Sequence, residues 1–308
     1  MARSKSIPMS VWVGAARLRT LPLAVAGIVL GSLLAATSGG FRWWVALGCV
    51  LLAVLFQVLS NFANDYGDGI RGTDALRTGE ARMLASGRID APTLFRSVVG
   101  LAVVAILASI GLSYFALRSL GWSVVGLFWG LGGLAVWAAI RYTMGKTAYG
   151  YKALGDGAVF LFFGWLAVGG SAFVQTLHFD ARVLLPASAL GALSTGVLNL
   201  NNMRDIDSDR AAGKKSLAML LGLRGAQWYQ AVLVLIAFDC ALLFQAGTPG
   251  SAWKYLFLIA FVPLLFMLNR SFKARTPAEF DVLLKPMALS TLLFSLLLGL
   301  GSYLAQIA

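Results

Sequence analysis

Residues 43–74 read WWVALGCVLLAVLFQVLSNFANDYGDGIRGTD. An apolar run long enough to span a bilayer leads directly into a cluster holding Asn61, Asn64, Asp65, Asp68 and Asp74. A second apolar run, over 183–203, leads into NNMRDIDSDRAAGKK at 201–215, which carries Asn201, Asn202, Arg204, Asp205, Asp207 and Asp209. Carboxylates beside a bilayer are costly and call for compensation. If the first helix continues past Asn61, then Asn61, Asn64, Asp65 and Asp68 fall at i, i+3, i+4 and i+7, on one face. Asp74 follows Gly69 and Gly72, so the chain turns before reaching it. Asn201, Asp205 and Asp209 share a face at i, i+4 and i+8, and Asp207 lies off it.

Composition sets the environment. The 308 residues are 59% hydrophobic and 12% charged, with mean hydropathy +0.79. A soluble domain carries about 25% charge, so the expected class is an all-α integral membrane protein. Spans need about 20 mostly apolar residues, and nine are expected: 21–38, 43–63, 94–116, 121–140, 153–175, 183–203, 226–246, 253–269 and 284–306. With the N-terminus in the cytoplasm, only Arg42, Arg118, Arg182 and Lys254 of the 25 Lys and Arg fall outside. That asymmetry fits nine spans, and the expected location is a cell inner membrane. The asymmetry also accounts for the net charge of +12 without a nucleic-acid partner. Both acidic clusters then lie on the cytoplasmic side, four spans apart. This gives a single transmembrane domain with a parallel repeat of helices 1–4 and 5–8, plus a ninth helix.

Other chemistries fall away. His178 is the only histidine, which removes His-based metal sites and Ser-His-Asp or Cys-His catalysis. Cys49 and Cys240 lie inside apolar runs and read as packing residues, not a disulfide. Arg17 and Arg19 interrupt the N-terminal apolar stretch, so the first span reads as an uncleaved anchor.

Oxygen-only ligands suit a hard cation. Mg2+ takes one or two carboxylates and fills its remaining positions with water and substrate phosphate. Two facing clusters suit two Mg2+ ions bridging one diphosphate, with Arg71, Arg82, Lys146 and Lys214 neutralising the remaining charge. Ordinary capping at solvated helix ends is the plainer account of one such cluster. Two at matching positions, each pairing Asn with Asp, weigh against it. A transporter would place its polar groups near the midplane, often in inverted repeats. A nucleotide-linked phosphoalcohol transferase would need Asp-Gly-x-x-Ala-Arg, but Asp68-Gly69 is followed by Ile70-Arg71-Gly72-Thr73.

The chain resembles the UbiA-type superfamily of intramembrane prenyltransferases over nearly its whole length. ARLRTLPLAVAGIVLGS (16–32) resembles that family's first helix, and NFANDYGDGIRGTD (61–74) its first aspartate motif. NNMRDIDSDRAAGKKSLAMLLG (201–222) is similar to the second, and LLKPMALSTLLF (283–294) to the tail. RYTMGKTAYGYKALGDGAVFLFFG (141–164) resembles the central loop and fifth helix of the branch that prenylates 1,4-dihydroxy-2-naphthoate.

The resemblance implies nine transmembrane helices around a central cavity. It implies transfer of a polyprenyl group from an allylic polyprenyl diphosphate to an aromatic acceptor, with loss of CO2 if the acceptor is the naphthoate. Asn61, Asp65, Asp68 and Asp74 match the first metal–diphosphate motif, and Asn201, Asp205 and Asp209 the second. Asn64 and Arg204 stand inside these motifs as substrate-binding candidates. Tyr142 and Lys146 match a Tyr-x-x-x-Lys loop whose Lys would touch diphosphate. Tyr149 and Asp156 belong to the stretch that is similar to the naphthoate branch. Asp65, Asp205, Tyr142 and Lys146 are therefore the expected catalytic residues. Arg82, Ser86 and Gly87 fit Arg-Pro-x-x-Ser-Gly, except that Met83 replaces Pro. The alternatives are another acceptor such as 4-hydroxybenzoate, or a transporter.

Overall fold

A computed structural model describes residues 7–73 and 82–307. Among them nine helices are long and apolar enough to cross a bilayer: α1 (Met9–Thr37), α2 (Trp43–Arg71), α3 (Ala91–Leu120), α4 (Trp122–Arg141), α5 (Gly155–Thr176), α6 (Ala181–Arg204), α7 (Leu217–Ala246), α8 (Ala252–Lys273) and α9 (Pro277–Ile307). The nine expected spans are present, and several helices overrun them. At 1.5 Å per residue α2 is roughly 43 Å long against a hydrocarbon core of about 30 Å. Its last turns, which carry the first acidic motif, therefore project beyond the apolar layer, and the motif is helical as the spacing requires.

Helix ends follow local chemistry. Asp90 caps α3 by accepting the Thr93 amide at 2.9 Å, with Pro92 in the first turn. Gly72 takes a left-handed φ of 73° and stops α2, which is the turn expected before Asp74. Arg17, also left-handed at φ 50°, breaks α1 into Met9–Ala16 and Leu21–Thr37. The break exposes backbone carbonyls that need donors. Asn61 supplies one, its Nδ2 donating to the Ala16 carbonyl at 2.8 Å and to Thr20 Oγ1 at 3.0 Å. Arg17 and Arg19, within the break, both line the cavity described below.

Without a hydrophobic drive between helices in lipid, close packing depends on small residues. A Cβ at Gly164 of α5 would lie 2.5 Å from the Ala187 carbonyl and 2.8 Å from the Gly191 Cα of α6. Their backbones therefore touch, and α5 accommodates the contact with a π-helical stretch, Phe160–Gly170. α6 is the most enclosed helix, and α1, α5, α7, α8 and α9 share one apolar core with it. A second core joins the start of α1 to α2, α3 and α4. At the far end Arg42 binds the carbonyls of Ala116, Val174 and Gln175, pinning the starts and ends of α2, α3 and α5 together.

Candidate active site

A cavity of about 400 Å³ lies between the two cores. One face of α4 measures its depth, with Tyr142 just past the helix at the mouth, then Ala138, Ala135, Leu131 and Phe128 roughly one turn apart. Ile28, Cys49 and Val174 line the deep end, where Phe128 stacks on Phe173 at 5.5 Å between centroids. The mouth is polar and basic. Arg17, Arg19, Asn61, Asn64, Arg82, Asn201 and Lys285 all line it. An anion at the mouth with an apolar chain behind it matches this shape and charge.

The first motif is built on the projecting end of α2. Asp65 is 1% exposed, and its two oxygens accept the Met83 amide at 2.9 Å and the Leu84 amide at 3.1 Å. Asp65 thus hangs the Arg82 loop from α2. The Met83 amide that makes this contact would be missing with proline there. One turn on, Asp68 Oδ2 lies 3.4 Å from the Arg82 guanidinium. Its Oδ1 accepts the Tyr151 hydroxyl at 2.8 Å. Asn64 Oδ1 accepts the Thr143 hydroxyl at 3.2 Å, which joins α2 to the segment after α4.

Tyr151 reaches both motifs. Its hydroxyl also lies 2.7 Å from Thr73 Oγ1, the Arg71 guanidinium sits 4.1 Å from its ring centroid and the Lys214 ammonium 5.8 Å. Arg71 donates to the Gly145 carbonyl as well. Lys214 Nζ is 3.2 Å from Asp209 Oδ1, and Asp209 Oδ2 is buried without a hydrogen-bond partner among the described residues. Burial raises the Asp209 carboxyl above the ordinary carboxylate range, against the pull of Lys214. A buried carboxylate oxygen lacking a donor is a place for a cation.

The rest of the second motif is neutralised internally. Arg204 grips Asp205 through two hydrogen bonds and also binds Asn201 Oδ1 at 2.7 Å and Asp281 Oδ1 of α9 at 2.6 Å. Asp156, at the start of α5, is buried near Tyr142, and its Oδ1 has no hydrogen-bond partner among the described residues. Burial, then the charge of Asp156, lifts the Tyr142 phenol above its usual value, so it stays protonated. Tyr149, which donates to the Ala138 carbonyl at 2.9 Å, is pushed up to about 12 by burial.

The structure therefore brings Asp65, Asp68, Arg71, Arg82, Tyr142, Tyr149, Lys214 and Asp209 to one end of the bundle, beside Asn61, Asn64, Asn201, Arg204 and Asp205. Asn61, Asn64, Arg82, Tyr142, Tyr149 and Asn201 line the cavity itself, whereas Asp65, Asp68, Arg71, Asp156, Arg204, Asp205, Asp209 and Lys214 do not. Ser86 is exposed, its hydroxyl donating to the Met83 carbonyl at 3.3 Å. Lys146 is exposed in the turn after α4, and Asp207 is exposed and paired with Arg210. Asp74 lies outside the described residues. Among the described residues, no three His, Cys, Asp or Glu side chains converge in a group that could hold a metal ion. Sequence reasoning missed Tyr151, Arg17, Arg19, Lys285 and Asp281 as site residues. Tyr151 had a signal in its Tyr-Gly-Tyr setting, and Arg17 and Arg19 in their place as charges inside an apolar run.

The model of the UbiA prenyltransferase family matches residues 24–303. A 1,4-dihydroxy-2-naphthoate octaprenyltransferase of Haemophilus influenzae is 40% identical over 299 residues, covering 95% of this chain and 96% of its own. The apo structure of a UbiA homologue from Aeropyrum pernix superposes with a TM-score of 0.67 at 15% identity, over 99% of this chain and 100% of that one. A UbiA homologue from Archaeoglobus fulgidus, solved with GPP and Mg2+, gives a TM-score of 0.55 at 16% identity over 94% of this chain and 99% of that one.

Proposed function

Because the chain belongs to the UbiA prenyltransferase family, we propose that it transfers a polyprenyl group from an allylic polyprenyl diphosphate to 1,4-dihydroxy-2-naphthoate, releasing diphosphate and CO2 and giving demethylmenaquinol, the reduced form of demethylmenaquinone. One observation carries the reading. Asn61, Asn64, Arg82 and Asn201, drawn from both motifs and the loop between them, line one end of a cavity whose depth is apolar, and Arg82 ties that lining to Asp68 and, through Tyr151, to Arg71, Lys214 and Asp209. The Haemophilus relative's name supports the naphthoate as acceptor, and the Archaeoglobus homologue's ligands support a Mg2+-dependent prenyl diphosphate.

Mg2+ fits the residues present. The donors are all oxygen, Asp209 Oδ2 lacks a partner, and Mg2+ needs only one or two protein carboxylates when phosphate completes its shell. Asp68 and Asp209, one from each motif, would each hold one of the two ions expected. Bound there, Mg2+ would supply charge neutralisation on the diphosphate. The protein's own part is separable. Arg71, Arg82 and Lys214 stabilise the charge that grows on diphosphate as the allylic C–O bond breaks. The faces of Tyr142, Tyr149 and Phe163 flank the cavity where the electron-poor allylic carbons would lie. The prenyl tail runs along the α4 wall, which excludes water. A ring carbon of the acceptor then forms the new C–C bond, and the acceptor's carboxylate leaves as CO2. The lysine and arginine distribution supports a site facing the cytoplasm, in a cell inner membrane.

The test is a reaction of purified protein with 1,4-dihydroxy-2-naphthoate and octaprenyl diphosphate, in Mg2+ or in EDTA, followed by mass. A Mg2+-dependent product that has lost CO2 is expected. Product with 4-hydroxybenzoate alone would overturn the acceptor and keep the chemistry. No transfer to either would overturn both.

A further inference from the structure

We propose that Tyr151 is the positioning residue of this site, its hydroxyl orienting Asp68 and its ring holding Arg71 and Lys214 where the diphosphate binds. The assignment rests on the diphosphate reading above. A tyrosine anchoring a helix end at a membrane interface keeps its ring in the apolar layer and its hydroxyl in water. Tyr151 does neither. Its hydroxyl is shared between Asp68 Oδ1 at 2.8 Å and Thr73 Oγ1 at 2.7 Å. Its ring faces two cations, with Arg71 at 4.1 Å and Lys214 at 5.8 Å. Within about 6 Å of a ring face, cations are attracted by the ring's quadrupole.

The backbone ties this arrangement to the second motif. Lys215 donates its amide to the Tyr151 carbonyl at 3.3 Å, and Ala153 donates to the Lys215 carbonyl at 2.7 Å. Lys214, one residue before that bridge, pairs with Asp209. One side chain thus sets the carboxylate of the first motif and the cations of both. Movement of the 149–154 segment moves Asp68, Arg71 and Lys214 together. Asp68 is held from its other side by Arg82, so without Tyr151 its carboxylate is free to turn fully toward that guanidinium.

Two variants separate the hydroxyl from the ring. Tyr151→Phe removes the contact with Asp68 and keeps the ring, and Tyr151→Leu removes both. The readout is calorimetric binding of the unreactive geranyl S-thiolodiphosphate across a Mg2+ series, with melting temperature and acceptor KM measured alongside. For Tyr151→Phe, the Mg2+ concentration giving half-maximal binding rises about tenfold, the worth of one hydrogen bond to a charged group. For Tyr151→Leu, analogue binding at saturating Mg2+ weakens by a further factor of about three to ten, the worth of the cation–ring contacts. Acceptor KM and melting temperature hold for Tyr151→Phe. Unchanged Mg2+ and analogue binding in both variants overturns the assignment. So does a loss shared equally by analogue and acceptor with a fallen melting temperature, the mark of a merely structural residue. If the wild-type protein binds no analogue, the diphosphate reading itself fails and the assignment with it.

Discussion

Arg204 and Asp205 are adjacent in the chain and clamp each other, with Nε on Oδ1 at 2.7 Å and Nη2 on Oδ2 at 2.8 Å, both side chains buried. Two parallel bonds of this kind use both carboxylate oxygens. Asp205 in this arrangement is a partner for Arg204, and the carboxylate of the second motif left open to a cation is Asp209. Removing one member of a buried pair leaves the other charge uncompensated, at a cost of about 3–5 kcal/mol. Arg204→Ala is therefore expected to lower the melting temperature in detergent markedly, and Arg204→Lys to recover only part of it, since an ammonium cannot reproduce the fork. A lysine variant with wild-type melting would refute the clamp.

Asp65 and Asp68 stand one turn apart with different tasks. Asp65→Ala strands the amides of Met83 and Leu84, each costing about 1–3 kcal/mol, and releases the Arg82 loop. Activity should fall about 10²-fold, because misplaced groups rather than missing ones are responsible. Asp68→Asn and Asp209→Asn instead remove charge from the linked cluster beside Arg82, and about 10²- to 10³-fold losses are expected. A Mg2+ titration of turnover tells them apart. Asp65→Ala should retain the wild-type Mg2+ midpoint and the other two should not.

The α4 wall sets a second, independent test. Ala135 lies two turns below Tyr142 on the face that lines the cavity. Ala135→Trp fills the space beneath it and leaves the mouth intact. Turnover with geranyl diphosphate should persist while octaprenyl diphosphate loses most of its rate, compared under saturating acceptor. Equal losses for both chain lengths would mean that the tail does not run along α4.

Asp90 offers a stability test away from the chemistry. The Thr93 amide bound to its carboxylate holds Asp90 below the ordinary carboxylate range. A depressed native value means stability present above the unfolded carboxylate pKa and lost as pH falls through the native one. Asp90→Ala should melt below wild type at neutral pH, and the gap should close as pH is taken below the carboxylate range. A gap independent of pH would point to some other role for the side chain.

Much of the architecture was legible because membrane spans announce themselves by length and apolarity. Trp43–Arg71 is one helix because its apolar run passes into residues spaced for one face. In the second motif the helix stops at Arg204 and a short helix, Ile206–Ala211, starts after Asp205, so Asn201 and Asp209 stand on different helices, with Asp207 exposed. What could not be read depends on which residue of a distant segment arrives at a given side chain. Asp65 looks like a metal ligand by spacing, but whether its oxygens meet an ion or the Met83 and Leu84 amides is decided by the loop's path. Asp281 sits three spans after Arg204 in the chain, and nothing in its own surroundings marks it as a partner. Arg17 interrupts an apolar run, yet only the left-handed turn there aims it at the cavity.

The Arg42 clamp bears on the membrane as much as on the enzyme. It holds the ends of α3 and α5 against the start of α2, on the side of the bundle away from the acidic motifs. A bilayer that stores an ion gradient is an electrical insulator, and a protein offering a polar mouth and a long interior void is a potential short circuit. A guanidinium spread over the carbonyls of Ala116, Val174 and Gln175 binds the far ends of the helices tightly together there, which works against such a leak.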